Sequence, residues 1–195
     1  QTHPSIILQE PGRLDSLRIS GEVPGSPCST LVAWCNTNMS DVNWIGAFNT
    51  VGRRNCIDAG CAVNYALAYQ ITEDTTYANK AMDICEELFA TTHDTTTGQW
   101  NARNVIRNDN WYTFRFAVPP VAITLDWCYD HLETNHPEQV DTLVARLNEW
   151  CGDFYSCRET GSLWIPGPPS SNVSPSQRMD PMNNYFQGYL RGLYY

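Results

Sequence analysis

Apolar residues return every three or four positions through two long stretches of this chain, and each stretch is broken once by a short polar turn. The first runs from Asp58 to Thr72 (Asp-Ala-Gly-Cys-Ala-Val-Asn-Tyr-Ala-Leu-Ala-Tyr-Gln-Ile-Thr), turns at Glu73-Asp74-Thr75, and resumes from Tyr77 to Phe89. In that second segment Tyr77, Ala81, Ile84, Cys85 and Leu88 share one helical stripe, while Asn79, Lys80, Asp83, Glu86 and Glu87 fall opposite it. One face is therefore predicted to be buried. The second stretch predicts a helix from Val118 to Leu132, opened by Pro119-Pro120 in the first turn, where a missing N–H breaks no hydrogen bond. After His136-Pro137 it predicts another helix from Glu138 to Trp150. Helices joined by so short a connection pack antiparallel. The pattern thus predicts an all-α fold of antiparallel helical hairpins, with regions 1–55 and 158–180 largely irregular apart from short helices. Trp127, inside Leu125-Asp-Trp-Cys-Tyr-Asp, reads as a core residue.

At 195 residues the chain is long enough for one substantial core, and 1–195 reads as a single domain. No run of apolar residues approaches a membrane span. Ile165 to Ser176, rich in proline and serine and without periodicity, reads as a surface loop. A net charge of -9 and a pI near 4.7 argue against nucleic acid as a partner, because phosphate neutralisation needs a basic stripe that is absent from the sequence. Arg103, Arg107 and Arg115 nevertheless lie close in sequence, and a locally basic cleft inside an acidic shell accommodates an acidic glycan.

Eight cysteines stand at positions 28, 35, 56, 61, 85, 128, 151 and 157, without a Cys-x-x-Cys or a histidine at metal-ligand spacing. That spacing argues for disulfides over zinc. Eight cysteines allow on the order of a hundred pairings. Cys28 with Cys35, Cys56 with Cys61 and Cys151 with Cys157 are short-range candidates to clip helix ends, leaving Cys85 and Cys128 to bridge two hairpins. The sequons Asn38-Met39-Ser40 and Asn172-Val173-Ser174 make Asn38 and Asn172 glycosylation candidates, and the first residue, Gln1, is not an initiator methionine. Together these predict an oxidised, glycosylated, secreted protein from which a signal peptide has been removed.

Serine-hydrolase elbows, phosphate-binding glycine loops and His-Glu-x-x-His are all missing from the sequence. Among the four histidines, His3 lies at the extreme start, His93 and His136 sit beside turns, and His131 is near a helix end, so all are read as surface or capping residues. What stands out is a mixture of aromatic, amide and guanidinium groups between the helices and near the end of the chain. It comprises Trp100-Asn101, Arg107-Asn-Asp-Asn-Trp-Tyr112, Arg115 and Met182-Asn-Asn-Tyr-Phe186. Flat aromatic faces stack on sugar rings, while amides and guanidinium groups read hydroxyls and carboxylates. Trp100, Trp111, Tyr112 and Arg115 are the substrate-binding candidates.

His3-Pro-Ser-Ile-Ile-Leu followed by Arg13-Leu-Asp-Ser-Leu-Arg resembles the opening of secreted heparinase II/III-like and alginate-lyase-like polysaccharide lyases. Ala66-Leu-Ala-Tyr-Gln-Ile-Thr-Glu-Asp-Thr-Thr-Tyr-Ala is similar to their helix-turn-helix pattern, and Leu125-Asp-Trp-Cys-Tyr-Asp-His-Leu to their tyrosine-aspartate-tryptophan helix. The resemblance implies an α/α toroid around a glycan cleft and β-elimination on a uronate-containing polysaccharide. An asparagine there neutralises the carboxylate, while tyrosine and histidine move the protons. Asn183 or Asn184, with Tyr185 beside them, occupies the position this implies, and an amide donates a hydrogen bond without titrating. The later tyrosine and histidine of such lyases have no counterpart in this sequence, and a closed toroid needs more helices than it supplies. The expectation is therefore the N-terminal part of a longer toroid, completed by further chain or by self-assembly.

Two other readings fit the same residues. One is a non-catalytic extracellular glycoprotein, either a glycan-binding module or a subunit of an assembly. The other is an inverting glycosidase using Asp109 and Asp180, which needs its carboxyl groups roughly 6.5–9.5 Å apart. No cofactor is implied by any motif, and no Asp-rich loop announces calcium.

Overall fold

The computed structural model describes residues 3–4, 7–8, 10–40, 56–90 and 114–159, and within the last two segments the side chains of 61–86 and 118–148. Six α-helices and no strand occur among the described residues: α1 (Arg13–Glu22), α2 (Pro27–Thr37), α3 (Cys56–Thr72), α4 (Thr75–Ala90), α5 (Phe114–Asn135) and α6 (Pro137–Glu159). The fold is all-α, as the periodicity predicts.

Local chemistry sets the helix ends. Gly12 precedes α1 with φ 75°, a left-handed conformation that suits glycine. The α1–α2 connection, Val23-Pro24-Gly25-Ser26, closes with a Ser26 N–H to Val23 C=O bond of 3.1 Å and places Gly25 at φ 78°. Proline followed by glycine at the centre of a turn is the pattern of type II geometry. Ser26 then caps α2, its hydroxyl accepting from the Ser29 N–H at 3.0 Å, with Pro27 in the first turn. Between α3 and α4, Asp74 accepts the Thr76 N–H at 2.9 Å and so caps α4. Glu73 ends α3 in a left-handed conformation, φ 61°, and its carboxylate pairs with Arg18 of α1 at 2.8 Å.

α3 is the centre of the bundle. It packs most extensively on α4 and α5 and also touches α1 and α2. Ala62, Tyr65, Ala66, Ala68, Gln70 and Ile71 are all buried, and they do not share a single face of the helix. Neighbours on several sides leave little of the described part of α3 exposed. On α4, Tyr77, Ala81, Ile84 and Cys85 are buried and Asp83 is exposed, as the stripe predicts. Asn79, Lys80 and Glu86 on the opposite side are half-buried. Val121, Leu125, Trp127, Cys128 and Leu132 of α5 and Val140 and Leu143 of α6 complete the core.

The boundaries of α3 and α4 lie within two residues of the sequence reading, and the largest differences are at the start of α5 and the end of α6. α5 begins at Phe114, which places Pro119 and Pro120 inside it. Those prolines remove only the N–H donors to the carbonyls at 115 and 116, near an end already short of helical bonds. α6 continues past Trp150 to Glu159, carrying Gly152 in its interior.

Helix continuity also overturns the three short-range disulfides. Cys28 and Cys35 lie seven residues apart within α2, Cys56 and Cys61 five apart within α3, and Cys151 and Cys157 six apart within α6. At ~1.5 Å rise per residue these separations are about 7.5–10.5 Å along an axis. A disulfide needs Cα atoms within about 7 Å. Cys28, Cys35, Cys61, Cys85 and Cys128 stand as thiols.

Gly21 of α1 packs tightly on α3, since a Cβ there would lie 2.5 Å from Ile71 Cγ2. Ile71 is buried and branched at Cβ, so it has little room to yield. Gly21→Leu is expected to destabilise the protein by roughly 1–3 kcal/mol through overpacking. The check is a urea unfolding midpoint, and an unchanged midpoint would contradict the docking of α1 on α3.

Candidate functional site

Most of the residues nominated from sequence lie outside the described residues: Asn183, Asn184, Tyr185, Trp100, Trp111, Tyr112 and Asn172, together with Asp109 and Asp180. Arg115 is the second residue of α5, with its side chain likewise outside. Asn38 is described. It closes α2, its Nδ2 donating to the Trp34 carbonyl at 2.8 Å, and its sequon runs into the turn at Met39-Ser40.

Two polar clusters carry titratable chemistry in the described bundle. The first joins the start of the chain to α5. His3 Nδ1 lies 2.7 Å from Asp126 Oδ1, and the His3 ring stacks on Tyr129 with centroids 4.3 Å apart and planes tilted by 32°. Asp126 is only 6% exposed, so its charge requires polar partners within the fold. With Nδ1–H donating to the carboxylate, a neutral imidazole keeps its lone pair on Nε2. This is the arrangement by which a carboxylate orients a histidine for proton transfer, and here it also fastens residue 3 to α5. Tyr129 in turn donates its hydroxyl to Glu133 at 2.7 Å.

The second cluster lies where α4, α5 and α6 meet. Asn79 Oδ1 accepts from His131 Nε2 at 2.8 Å and from His136 Nε2 at 3.2 Å. Asn135 Nδ2 donates both to His131 Nδ1 at 3.2 Å and to the His131 carbonyl at 2.8 Å. An acceptor at Nε2 and a donor at Nδ1 select the neutral Nε2–H tautomer of His131. Burial lowers the His131 pKa, and the neighbouring His136 lowers it further. Burial raises the carboxyl pKa of Glu86, Asp83 adds to the rise, and His136 opposes it. No group of three or more His, Cys, Asp or Glu suited to a metal ion occurs among the described residues. No described helix is long and apolar enough to cross a membrane.

The sequence reading missed both clusters, treating the histidines as surface or capping groups. A signal for the first was present in Asp126. A carboxylate between Leu125 and Trp127 on an apolar turn must find a partner, although nothing local says that the partner is 123 residues away.

His3→Ala is expected to cost about 1–3 kcal/mol, because it removes a hydrogen-bond partner from a buried carboxylate. Denaturant titration of the variant beside the parent protein checks this, and a change within error would show that His3 does not anchor the segment. The second cluster predicts a pH dependence. A histidine whose pKa falls on folding is neutral in both states above about pH 6.5, the unfolded value, and its contribution is complete there. As pH falls below that, the unfolded chain takes up the proton first, and stability is lost until the folded value has been passed. Glu86 acts in the opposite sense, its contribution being complete below the unfolded carboxyl value and lost as pH rises through the raised folded one. His131→Gln should therefore flatten the decline in stability below pH 6.5, read from melting temperatures across the range; parallel curves for parent and variant would refute the assignment. No protein-family model, curated protein or solved structure matches this chain.

Proposed function

We propose that this chain is a secreted, carbohydrate-active protein of polysaccharide-lyase type, using an α/α-toroid scaffold built from helical hairpins to act on a uronate-containing glycan. The observation that carries the reading is where the glycan-type side chains fall relative to the helices. In sequence, Trp100, Trp111 and Tyr112 fall between Ala90, the last residue of α4, and Phe114, the first of α5, with Arg115 immediately inside α5. Stacking and carboxylate-reading groups are thus concentrated in one stretch of sequence between two hairpins, and the repeated hairpin itself supports a solenoidal or toroidal scaffold.

In this reading Asn183 or Asn184 donates its amide to the uronate carboxylate. Charge that develops at C5 in the transition state is then drawn into the carboxylate, which eases loss of the C5 proton. The C5–H and C4–O bonds break, a C4–C5 double bond forms, and the departing glycosidic oxygen takes up a proton. Tyr185 serves in that proton transfer. Trp100, Trp111 and Tyr112 hold sugar rings, and Arg115 pairs with a carboxylate. Glycans at Asn38 and Asn172 fit a chain made in the secretory route.

The oxidised full-length protein should raise ultraviolet absorbance, through the unsaturated product, with at least one of alginate, heparan sulfate and chondroitin sulfate. Replacing both Asn183 and Asn184 by alanine should lower that rate by about 10²–10³-fold. Absence of any rise with all three polymers would sink the lyase reading. New reducing ends without a double bond would replace it by inverting hydrolysis at Asp109 and Asp180, and binding without product by a glycan-binding glycoprotein.

A further inference from the structure

Two pairs of cysteines sit where one helix packs on another rather than along a single helix. Cys85 of α4 and Cys128 of α5 are both buried in the core where those two helices pack. The Cys85 thiol lies beside Thr124, which stands one helical turn before Cys128 on the same ridge of α5. Cys35 of α2 is fully buried against α3, its Sγ donating to the Asn64 carbonyl at 3.6 Å while the Tyr65 hydroxyl donates to the Cys35 carbonyl at 3.4 Å. Cys61 precedes those two α3 residues by about one turn and lies on the same side of the helix.

We propose that Cys85 with Cys128 and Cys35 with Cys61 are the sites at which this chain forms disulfides, tying α4 to α5 and α2 to α3. The inference rests on the reading of a protein made in an oxidising compartment. It keeps the Cys85–Cys128 bridge that the sequence suggests and replaces the local clips of Cys35 and Cys61 by a bridge between α2 and α3.

Proximity within each pair is also visible in the acidities. Burial pushes the Cys35 and Cys85 thiols up to about 12, with Cys61 adding to the rise at Cys35. Cys128 is raised by burial and then by Cys85. Thiols buried in this way are poor nucleophiles in the closed bundle. The oxidant is a second disulfide, either oxidised glutathione or an oxidised dithiol oxidoreductase. One thiolate of the pair attacks it and expels a thiolate, and its partner then attacks the mixed disulfide and expels the second. The protein loses two protons and two electrons per bridge, and the oxidant's disulfide becomes two thiols. The product is an uncharged S–S unit suited to an apolar site, where two neighbouring thiols gain little from remaining reduced.

The test folds the reduced full-length protein in a buffer of oxidised and reduced glutathione, blocks remaining thiols by alkylation, and maps the peptides by mass spectrometry without reduction. Expected are a linked peptide joining Cys35 to Cys61 and another joining Cys85 to Cys128, each losing its partner on reduction. Alkylation of both members of either pair in the folded, oxidised protein, or their linkage to other cysteines, overturns the proposal for that pair. Because the oxidant is supplied, failure here is separate from failure of the glycan reading, which the absorbance assay tests.

Discussion

The bundle depends on the burial of one helix, α3, by neighbours on several sides. Alanine makes this achievable: Ala62, Ala66 and Ala68 on α3 and Ala78 and Ala81 on α4 are all essentially without exposure, and small side chains let helix axes approach closely. Larger groups then fill the spaces between, with Tyr65, Val121, Leu132 and Leu143 among the most deeply buried. Close packing of this kind transmits changes in volume, because interiors hold few voids to absorb them. α1 contributes Gly21 to the same principle and has no buried residue of its own, with Ile19 65% exposed.

Polar groups within the bundle join helices in pairs. Gln70 donates its side-chain amide to the Trp127 carbonyl, linking α3 to α5, and its own carbonyl accepts from Arg18 Nε at 3.0 Å, linking α3 to α1. The Tyr77 hydroxyl donates to Asn36 Oδ1 at 2.6 Å, which ties α4 to α2. Asn79 holds α4 against the α5–α6 corner through two imidazoles. Such bonds add little net energy singly, but a buried polar group without its partner is costly, so each one favours this arrangement of helices over neighbouring alternatives. Thr124 is the exception among the described residues. Its buried hydroxyl has no bond of good geometry, and it stands beside the Cys85 thiol, a weak partner at best. That polar atom falls on the same α4–α5 seam as the proposed Cys85–Cys128 bridge.

The residues proposed to bind sugar and the described helices are distributed differently along the sequence. The described helices carry alanine, leucine and tyrosine in repeating register, whereas most of the proposed residues fall at 100–112 and 183–185, outside the described residues. Such side chains are recognisable by type from the sequence. Their mutual geometry is not, because it depends on how residues distant in sequence converge.

The sequence by itself located four helices in outline, α3 to α6, and expected only short helices among residues 1–55. A period of three to four residues locates α3 and α4, and Glu73-Asp74-Thr75 marks the turn between them. These are local effects, set by backbone sterics and by bonds spanning a few residues. Only the tertiary structure decided that α3 is covered on several sides, that His3 meets Asp126 and that Cys28 does not face Cys35. Such contacts arise when helix faces dock, and they join residues whose separation along the chain leaves no local pattern. The cysteines show the difference plainly. Nearness in sequence suggested three clips, but a continuous helix carries such near neighbours apart along its axis.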